Sequence, residues 1–137
     1  MADLIRMSEA TALGLHTMAF VARRSEPAST ARIAGEIRAS KAHLSKVLQQ
    51  LVRAGLLNSK RGPNGGYTLA RSLSEISLLD VYEAFEGPFR LGGCLFIEPV
   101  CHQADCILED LIERLRADAH EYLESTSLGD VASRRRT

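Results

Sequence analysis

The sequence predicts a mainly α-helical protein with one small β-hairpin, which is an α+β fold. Apolar residues recur at helical spacing in several segments, and one short stretch dense in Gly and Pro predicts the turn of a hairpin. Only 5% of the 137 residues are aromatic and Trp is absent, which favours an aliphatic, helix-rich core. Because 45% of the residues are hydrophobic and 25% are charged, we expect one folded globular domain with at most an additional arm.

No segment of the sequence is typical of membrane insertion or export. No apolar run approaches the roughly 20 residues that cross a bilayer. The chain starts Met1-Ala2-Asp3-Leu4-Ile5-Arg6, which lacks the charged-then-apolar order of a signal peptide. The three cysteines are an odd number, which argues against a disulfide framework. We therefore expect a cytoplasmic protein with no membrane partner.

Three helices are predicted in the first half of the chain, over residues 8–24, 30–38 and 41–54. The third has the clearest periodicity, and its apolar face comprises Leu44, Val47, Leu48 and Leu51. Ser40 is well placed to cap this helix, and its outer face is polar and basic. Two helices joined by a tight turn, with the second basic on its outer face, are typical of a helix-turn-helix. A plain helical hairpin gives the same pattern.

A β-hairpin is predicted directly after the third helix, with strands over residues 56–60 and 66–70. Its tip reads Arg61-Gly62-Pro63-Asn64-Gly65, which is dense in residues that turn the chain and carries a basic side chain. A helix-turn-helix followed by a basic hairpin is the order of a winged helix-turn-helix. We expect this unit over residues 1–77.

The second half of the chain predicts two further helices separated by an irregular stretch. Ser77 can cap a helix that ends at Gly87-Pro88, so residues 78–88 are expected to form a connecting helix. Residues 89–106 have no regular period and contain all three cysteines. A longer helix begins at residue 107, with a strongly acidic face opposite an apolar stripe of Leu108, Leu111, Ile112, Leu115, Ala119, Tyr122 and Leu123. This apolar stripe is broader than packing against the small domain of residues 1–77 requires. Residues 107–137 are therefore expected to form a dimerisation helix and a tail.

Charge is distributed unevenly along the chain although the formal net charge is zero. Residues 1–71 carry eleven basic and four acidic side chains, a net charge of +7. Residues 72–137 carry six basic and thirteen acidic side chains, a net charge of −7. Such an asymmetry indicates a polyanionic partner for the first half, although solvated charges that cancel in the fold are the simpler alternative.

Several motifs together resemble one protein family. The predicted wing, Lys60-Arg61-Gly62-Pro63-Asn64-Gly65-Gly66-Tyr67-Thr68-Leu69-Ala70-Arg71, closely resembles that of the Rrf-type transcriptional regulators, the family of IscR and NsrR. Further similarities are Ile76-Ser77-Leu78-Leu79-Asp80-Val81, Glu86-Gly87-Pro88, the three-cysteine loop and Ser125-Thr126-Ser127-Leu128-Gly129-Asp130-Val131. The resemblance covers nearly the whole chain. It implies a bacterial homodimer that binds double-stranded promoter DNA, with the long C-terminal helix at the dimer interface.

The surface expected to contact DNA lies on the third helix and the wing tip. A recognition helix enters the major groove with its N-terminal end first, so the nearest residues are Ser40, Lys41, Ala42, His43, Ser45 and Lys46. Lys and Ser contact mostly phosphates, whereas His43 and Lys46 can also reach base edges. Arg61 matches the family arginine that enters the minor groove, although a solvated turn charge is its simpler role. Gly62 and Gly65 allow the backbone to approach the duplex closely.

The cysteine loop is the candidate sensor. Cys94, Cys101 and Cys106 lie within thirteen residues, and thiolates are the ligands that hold iron–sulfur clusters. We expect a 2Fe–2S or 4Fe–4S cluster, as in some members of the family that the chain resembles. The fourth ligand is then His102 or Glu9 of the partner subunit, the latter matching an acidic residue in nitric-oxide-sensing relatives. A helix N-terminal charge is an equally good role for Glu9. The histidine ligand of the cluster-assembly regulator falls on Glu109, so that ligand is absent here.

Other chemistries remain open for the same residues. The cysteine spacing departs from that of the best-known sensors, and zinc held by Cys94, Cys101, His102 and Cys106 or a metal-free set of thiols are alternatives. An enzyme is not expected, because the adjacent Cys101 and His102 point apart and no acid–base or phosphate motif occurs elsewhere. A protein-interaction module without DNA binding is the remaining class, and the charge of the first half argues against it.

Overall fold

The computed structural model describes residues 4–96 and 106–134 of the chain. Its helices are α1 (Glu9–Ala22), α2 (Thr30–Ile37), α3 (Lys41–Arg53), α4 (Leu78–Glu86), α5 (Glu109–Ser125) and α6 (Leu128–Ser133). Two strands, β1 (Leu57–Lys60) and β2 (Gly66–Leu69), form an antiparallel hairpin, and a 3₁₀ turn spans Leu73–Glu75. The α+β class and the helix-turn-helix with its wing are confirmed. The 3₁₀ turn was not predicted.

Serine residues set where the helices begin. Each α-helix except α5 follows a serine whose hydroxyl accepts the backbone N–H three residues later, at 3.0–3.2 Å. At α4 and α6 the bond is reciprocal, because Asp80 and Asp130 accept the N–H of Ser77 and Ser127. Such caps satisfy amide groups that a helix start leaves without a partner. The predicted starts of α1, α2, α3 and α4 therefore agree with the structure within a residue, whereas a separate helix α6 was not predicted.

The turn between α2 and α3 is tight. Arg38 adopts a left-handed conformation with φ of 54°, and the amide of Ala39 donates to the carbonyl of Ala34 at 3.1 Å. This ends α2 and leaves only two further residues before α3, which Ser40 caps. The short connection fixes the angle between the two helices and leaves the polar face of α3 uncovered.

The wing is anchored to the linker between α1 and α2. In the hairpin Leu57 faces Leu69 and Lys60 faces Gly66. Ala28 forms a bridge to Tyr67, with hydrogen bonds of 3.2 and 2.8 Å between their backbones. A side chain at Gly66 would lie 2.6 Å from the Ala28 carbonyl, so this close contact requires glycine. The wing is therefore held by its own strand pairing and by hydrogen bonds to Ala28 in the linker between α1 and α2.

The apolar face of α3 is central to the core. Leu44, Val47, Leu48 and Leu51 are almost completely buried, as the periodicity predicts. They pack with side chains from α1, α2, β1 and α4, and the core comprises Met18, Val21, Ala22, Ala28, Ile33, Ala34, Leu44, Val47, Leu48, Leu51, Leu56, Leu57, Ile76, Val81 and Leu128.

The C-terminal helix α6 packs against α1 and the 3₁₀ turn. Leu128 is fully buried in the core, and its amide donates to the carbonyl of Ile76 at 2.9 Å. Arg23 at the end of α1 donates to the carbonyl of Val131 at 3.1 Å. The predicted division into residues 1–77, 78–88, 89–106 and 107–137 stays a prediction, with α6 packed against the first of these segments.

Within the described ranges, no helix has both the length and the apolar character needed to cross a membrane.

We predict that Gly14→Ala destabilises the protein, because an added Cβ in α1 would overlap the ring of Phe85 in α4. Overpacking of this kind costs about 1–3 kcal/mol of unfolding free energy, measured by chemical denaturation. The matched control is Gly35→Ala in α2, where an added Cβ meets nothing within 4 Å. This control should gain about 0.5–1 kcal/mol from helix propensity. Equal stability of the two variants would contradict the close packing of α1 and α4.

Candidate nucleic-acid interface and cysteine loop

The first two turns of α3 present an uncovered polar surface. Ser40, Lys41, Ala42 and Lys46 are exposed, while His43 and Ser45 are half-buried. The hydroxyl of Ser40 accepts the amide of His43 at 3.2 Å, which leaves its own proton for an external acceptor. In the described part of the chain neither Lys41 nor Lys46 forms an ion pair. These groups are therefore available to a partner, and their assignment to DNA stays a prediction.

The wing tip is a second exposed basic surface. The amide of Gly65 donates to the carbonyl of Gly62 at 2.9 Å, which closes a four-residue turn. Gly62 has a φ of 113°, and a side chain at Gly65 would overlap the carbonyl of Lys60. Both glycines are thus needed for the turn itself, in addition to any approach to a duplex. Arg61 is exposed beside this turn, and no carboxylate in residues 4–96 or 106–134 pairs with it.

Lys60 is a basic group of the wing that the sequence analysis did not single out. It is exposed at the last position of β1, next to Arg61. Its place in a basic hairpin directly after the predicted recognition helix is a signal that was present in the sequence.

The cysteine loop is described in part. Cys94 and Cys106 are free and half-buried, whereas Cys101 and His102 lie outside the described residues. The amide of Phe96 donates to the Sγ of Cys94 at 3.4 Å. Glu9 is exposed as the first residue of α1. Among the described residues no three His, Cys, Asp or Glu side chains converge as a metal site would require.

Cys94 lines a cavity of about 130 Å³ at the junction of four segments. These are the residues before α1, the end of α4, the cysteine loop and α5. The lining side chains include Leu4, Ile5, Tyr82, Phe89, Cys94 and Arg116. The start of the loop thus lies against both α5 and the segment that leads into α1.

Arg116 of α5 is a functional candidate that the sequence analysis missed. Its side chain is only 4% exposed. The guanidinium donates from Nε to the carbonyl of Leu4 at 2.8 Å, and from Nη1 to the carbonyls of Gly92 and Gly93 at 3.1 and 3.2 Å. A basic residue on the same face of the helix as Ile112 and Leu123 was the available signal. Charged side chains are rarely buried without partners.

Glu86, the last residue of α4, binds the start of α1. Its Oε1 accepts the amide of Ser8 at 2.9 Å and the hydroxyl of Thr11 at 2.5 Å. Burial alone would raise the pKa of Glu86, but these hydrogen bonds outweigh burial and hold the pKa below its ordinary value. Glu86 is therefore held ionised, at a position where the N-terminal dipole of α1 also favours a negative charge.

The apolar stripe expected on the long helix divides into two faces. Ile112, Arg116 and Leu123 are buried against the rest of the chain. A second row remains substantially exposed, 37–52% per residue, and comprises Leu108, Leu111, Leu115 and Tyr122. At about 100° per residue, the two rows lie roughly 90° apart around the helix axis. The exposed row is an apolar surface without a described partner on this chain.

Comparison with known proteins assigns the family. The Rrf2 family model, described as an iron-dependent transcriptional regulator, matches residues 7–134. The chain belongs to the Rrf2 family of transcriptional regulators. The resemblance seen in the wing, the Glu-Gly-Pro motif and the cysteine loop is thereby confirmed.

Individual Rrf2 relatives and structures agree with this assignment. YwgB of Bacillus subtilis (strain 168), which carries the name of an HTH-type transcriptional regulator, is 33% identical over 74% of this chain and 67% of its own length. For a similarly matched regulator of Aquifex aeolicus, the chain spans 63% of the relative's length.

Solved structures share the fold over nearly the whole chain. CymR, the global cysteine regulator of B. subtilis, is 31% identical with a TM-score of 0.76, covering 93% of this chain and 96% of CymR. IscR of T. potens is 24% identical with a TM-score of 0.72, covering 96% and 93% of the two chains, and shows the fold alone. The fold of this chain is therefore shared, over nearly its whole length, with solved transcriptional regulators.

Proposed function

We propose that this Rrf2-family regulator binds double-stranded promoter DNA through the N-terminal half of α3 and the tip of the wing. The observation that carries the proposal is the set of exposed basic groups at both places, Lys41, Lys46 and Arg61, which no described carboxylate neutralises. A helix of this shape fits the major groove, and an arginine on a hairpin tip fits the adjacent minor groove. Ala42 leaves room at the centre of the helix surface for close approach to bases.

We also propose that the protein acts as a homodimer through α5. Leu108, Leu111, Leu115 and Tyr122 lie on one face over more than three helical turns, and a second copy can cover this row symmetrically. In such a dimer the two α3 helices would meet successive major grooves, roughly 34 Å apart. A dimer also doubles the number of phosphate contacts, which raises affinity and its dependence on salt.

The proposed sensor is an iron–sulfur cluster held by Cys94, Cys101 and Cys106, with His102 or Glu9 of the partner subunit as the fourth ligand. The donor chemistry of the described residues fits this group. Cys94 and Cys106 are free, and the Phe96 amide that donates to Cys94 Sγ is the kind of hydrogen bond that stabilises a ligating thiolate. The cluster, when bound, supplies a centre that responds to redox state, iron–sulfur status or nitric oxide. Ordering of the loop by its ligands would change how residues 89–96 are held.

A cluster-free member of the family is the second candidate. This candidate is favoured because the chain shares more sequence identity with CymR, the cysteine regulator, at 31%, than with IscR, at 24%. In that case the same thiols serve as a redox switch or bind zinc.

For the DNA surface, we expect Lys46→Ala and Arg61→Ala to weaken binding to a promoter fragment in gel-shift titrations. Loss of a base contact costs about 1–3 kcal/mol, and loss of a phosphate contact lowers the salt slope by about one. The matched control is Arg53→Ala, because Arg53 is exposed at the far end of the same helix. Unchanged binding by both test variants, with normal circular dichroism, would show that the surface is elsewhere. If the wild type binds no DNA, a protein-interaction module is the better description.

For assembly, we expect sedimentation at twice the 15.0 kDa chain mass at micromolar concentration. Leu115→Asp should give monomers, because it places a charge within the exposed apolar row. Ala117→Asp is the control, since Ala117 is exposed on the same helix but outside this row. A wild-type monomer, or a Leu115→Asp dimer, would rule out α5 as the interface.

For the sensor, protein purified anaerobically should be coloured and contain iron and acid-labile sulfide. Cys94→Ala, Cys101→Ala and Cys106→Ala should each lose the visible absorption. Comparison of His102→Gln with Glu9→Gln identifies the fourth ligand, because only one of them should weaken the cluster. Colourless, iron-free protein would leave zinc or thiol chemistry, which metal analysis and thiol titration distinguish.

A further inference from the structure

The segment that leads into α1, residues 4–8, is held at both of its ends by side chains from other parts of the chain. At its start, the carbonyl of Leu4 accepts from Arg116 Nε at 2.8 Å. At its end, the amide of Ser8 donates to Glu86 Oε1 at 2.9 Å. Leu4 and the adjacent Ile5 line the cavity that Cys94 also lines. The position of α1 is therefore coupled to α5 through one end of this segment and to α4 through the other.

Arg116 joins this segment to the cysteine loop. The same guanidinium that binds Leu4 donates to the carbonyls of Gly92 and Gly93, which directly precede Cys94. The acceptors among the described residues, Leu4, Gly92 and Gly93, are backbone carbonyls, so these hydrogen bonds depend on the position of the chain and not on the identity of a side chain. Because Arg116 is nearly fully buried, a donor left without its acceptor would carry a desolvation cost. A movement of residues 92–93 must therefore either carry Arg116 with it or break these bonds.

We infer that Arg116 is the positioning residue through which the state of the cysteine loop reaches α1 and the DNA-binding domain. This inference rests on the proposed sensing function and names the contacts that connect the cysteine loop to α1. The planar guanidinium spans two segments at once, which the single ammonium of a lysine does not do in the same geometry. Glu86 completes the route, since it fixes the first turn of α1 through Ser8 and Thr11.

The test compares promoter affinity of the full-length protein in two states, loaded with the cluster anaerobically and after removal of iron. In the wild type the two dissociation constants should differ by about 5- to 150-fold, the range typical of allosteric coupling. In Arg116→Lys this ratio should fall below about twofold, while iron and sulfide content stay at the wild-type level. Arg114→Lys is the matched control, because Arg114 is exposed two residues earlier on α5 and should keep the wild-type ratio. A purely structural role would weaken both states equally and leave the ratio unchanged.

Hydrogen exchange supplies a readout that does not depend on DNA. Removal of iron from the wild type should speed amide exchange in residues 5–13, and Arg116→Lys should show the faster exchange in both states. If Arg116→Lys does not fold, Glu86→Ala breaks the other end of the segment and should reduce the affinity ratio in the same way.

The outcomes separate this inference from the proposed function. A wild-type ratio near one overturns the sensing proposal, and the relay with it. A large wild-type ratio that persists in Arg116→Lys overturns the relay alone, as does exchange in residues 5–13 that is unaffected by the substitution.

Discussion

The close packing of α1 against α4 is the contact on which the rest of the molecule depends. Gly14 has no side chain, so the Phe85 ring can lie directly against the backbone of α1. This approach brings Glu86 within hydrogen-bond distance of Ser8 and Thr11. The side-chain amide of Gln50 in α3 donates to the carbonyl of Ala84 at 2.9 Å, which connects α3 to the same pair of helices. Because such interiors are close-packed, a shift of α4 cannot be absorbed locally and must move α1 or α3.

Local signals explain why much of the fold could be predicted. Serine caps fix most helix starts, the spacing from Leu44 to Leu51 fixes the buried face of α3, and the Gly- and Pro-rich tip fixes the wing. Each of these depends on residues within one or two turns of one another. The 3₁₀ turn at Leu73–Glu75 was missed because its packing partner is α6, more than fifty residues further along the chain.

Long-range contacts explain what the sequence did not reveal about the candidate site. Apolar spacing identified α5 correctly, but it did not separate the buried face from the exposed one, since both faces carry large aliphatic side chains. Arg116 reads as a surface residue of a charged helix, and only the tertiary structure shows its contacts with Leu4, Gly92 and Gly93. The loop around Cys94 has no period, so its course is set by such distant partners and not by its own composition.

Although the net charge of the chain is zero, exposed acidic side chains of α5 lie on the side of the helix opposite its exposed apolar row. Glu113 and Glu124 are exposed and lie almost directly opposite the apolar row that begins at Leu108, as the helical angle of about 100° per residue requires. If two copies pair through that row, Glu113 and Glu124 on these acidic faces point away from the other copy, so the mutual repulsion of these two groups stays small. The same faces repel a phosphate backbone over a Debye length of about 8 Å. In the proposed complex the duplex would approach the basic surface formed by α3 and the wing, and not the acidic face of α5.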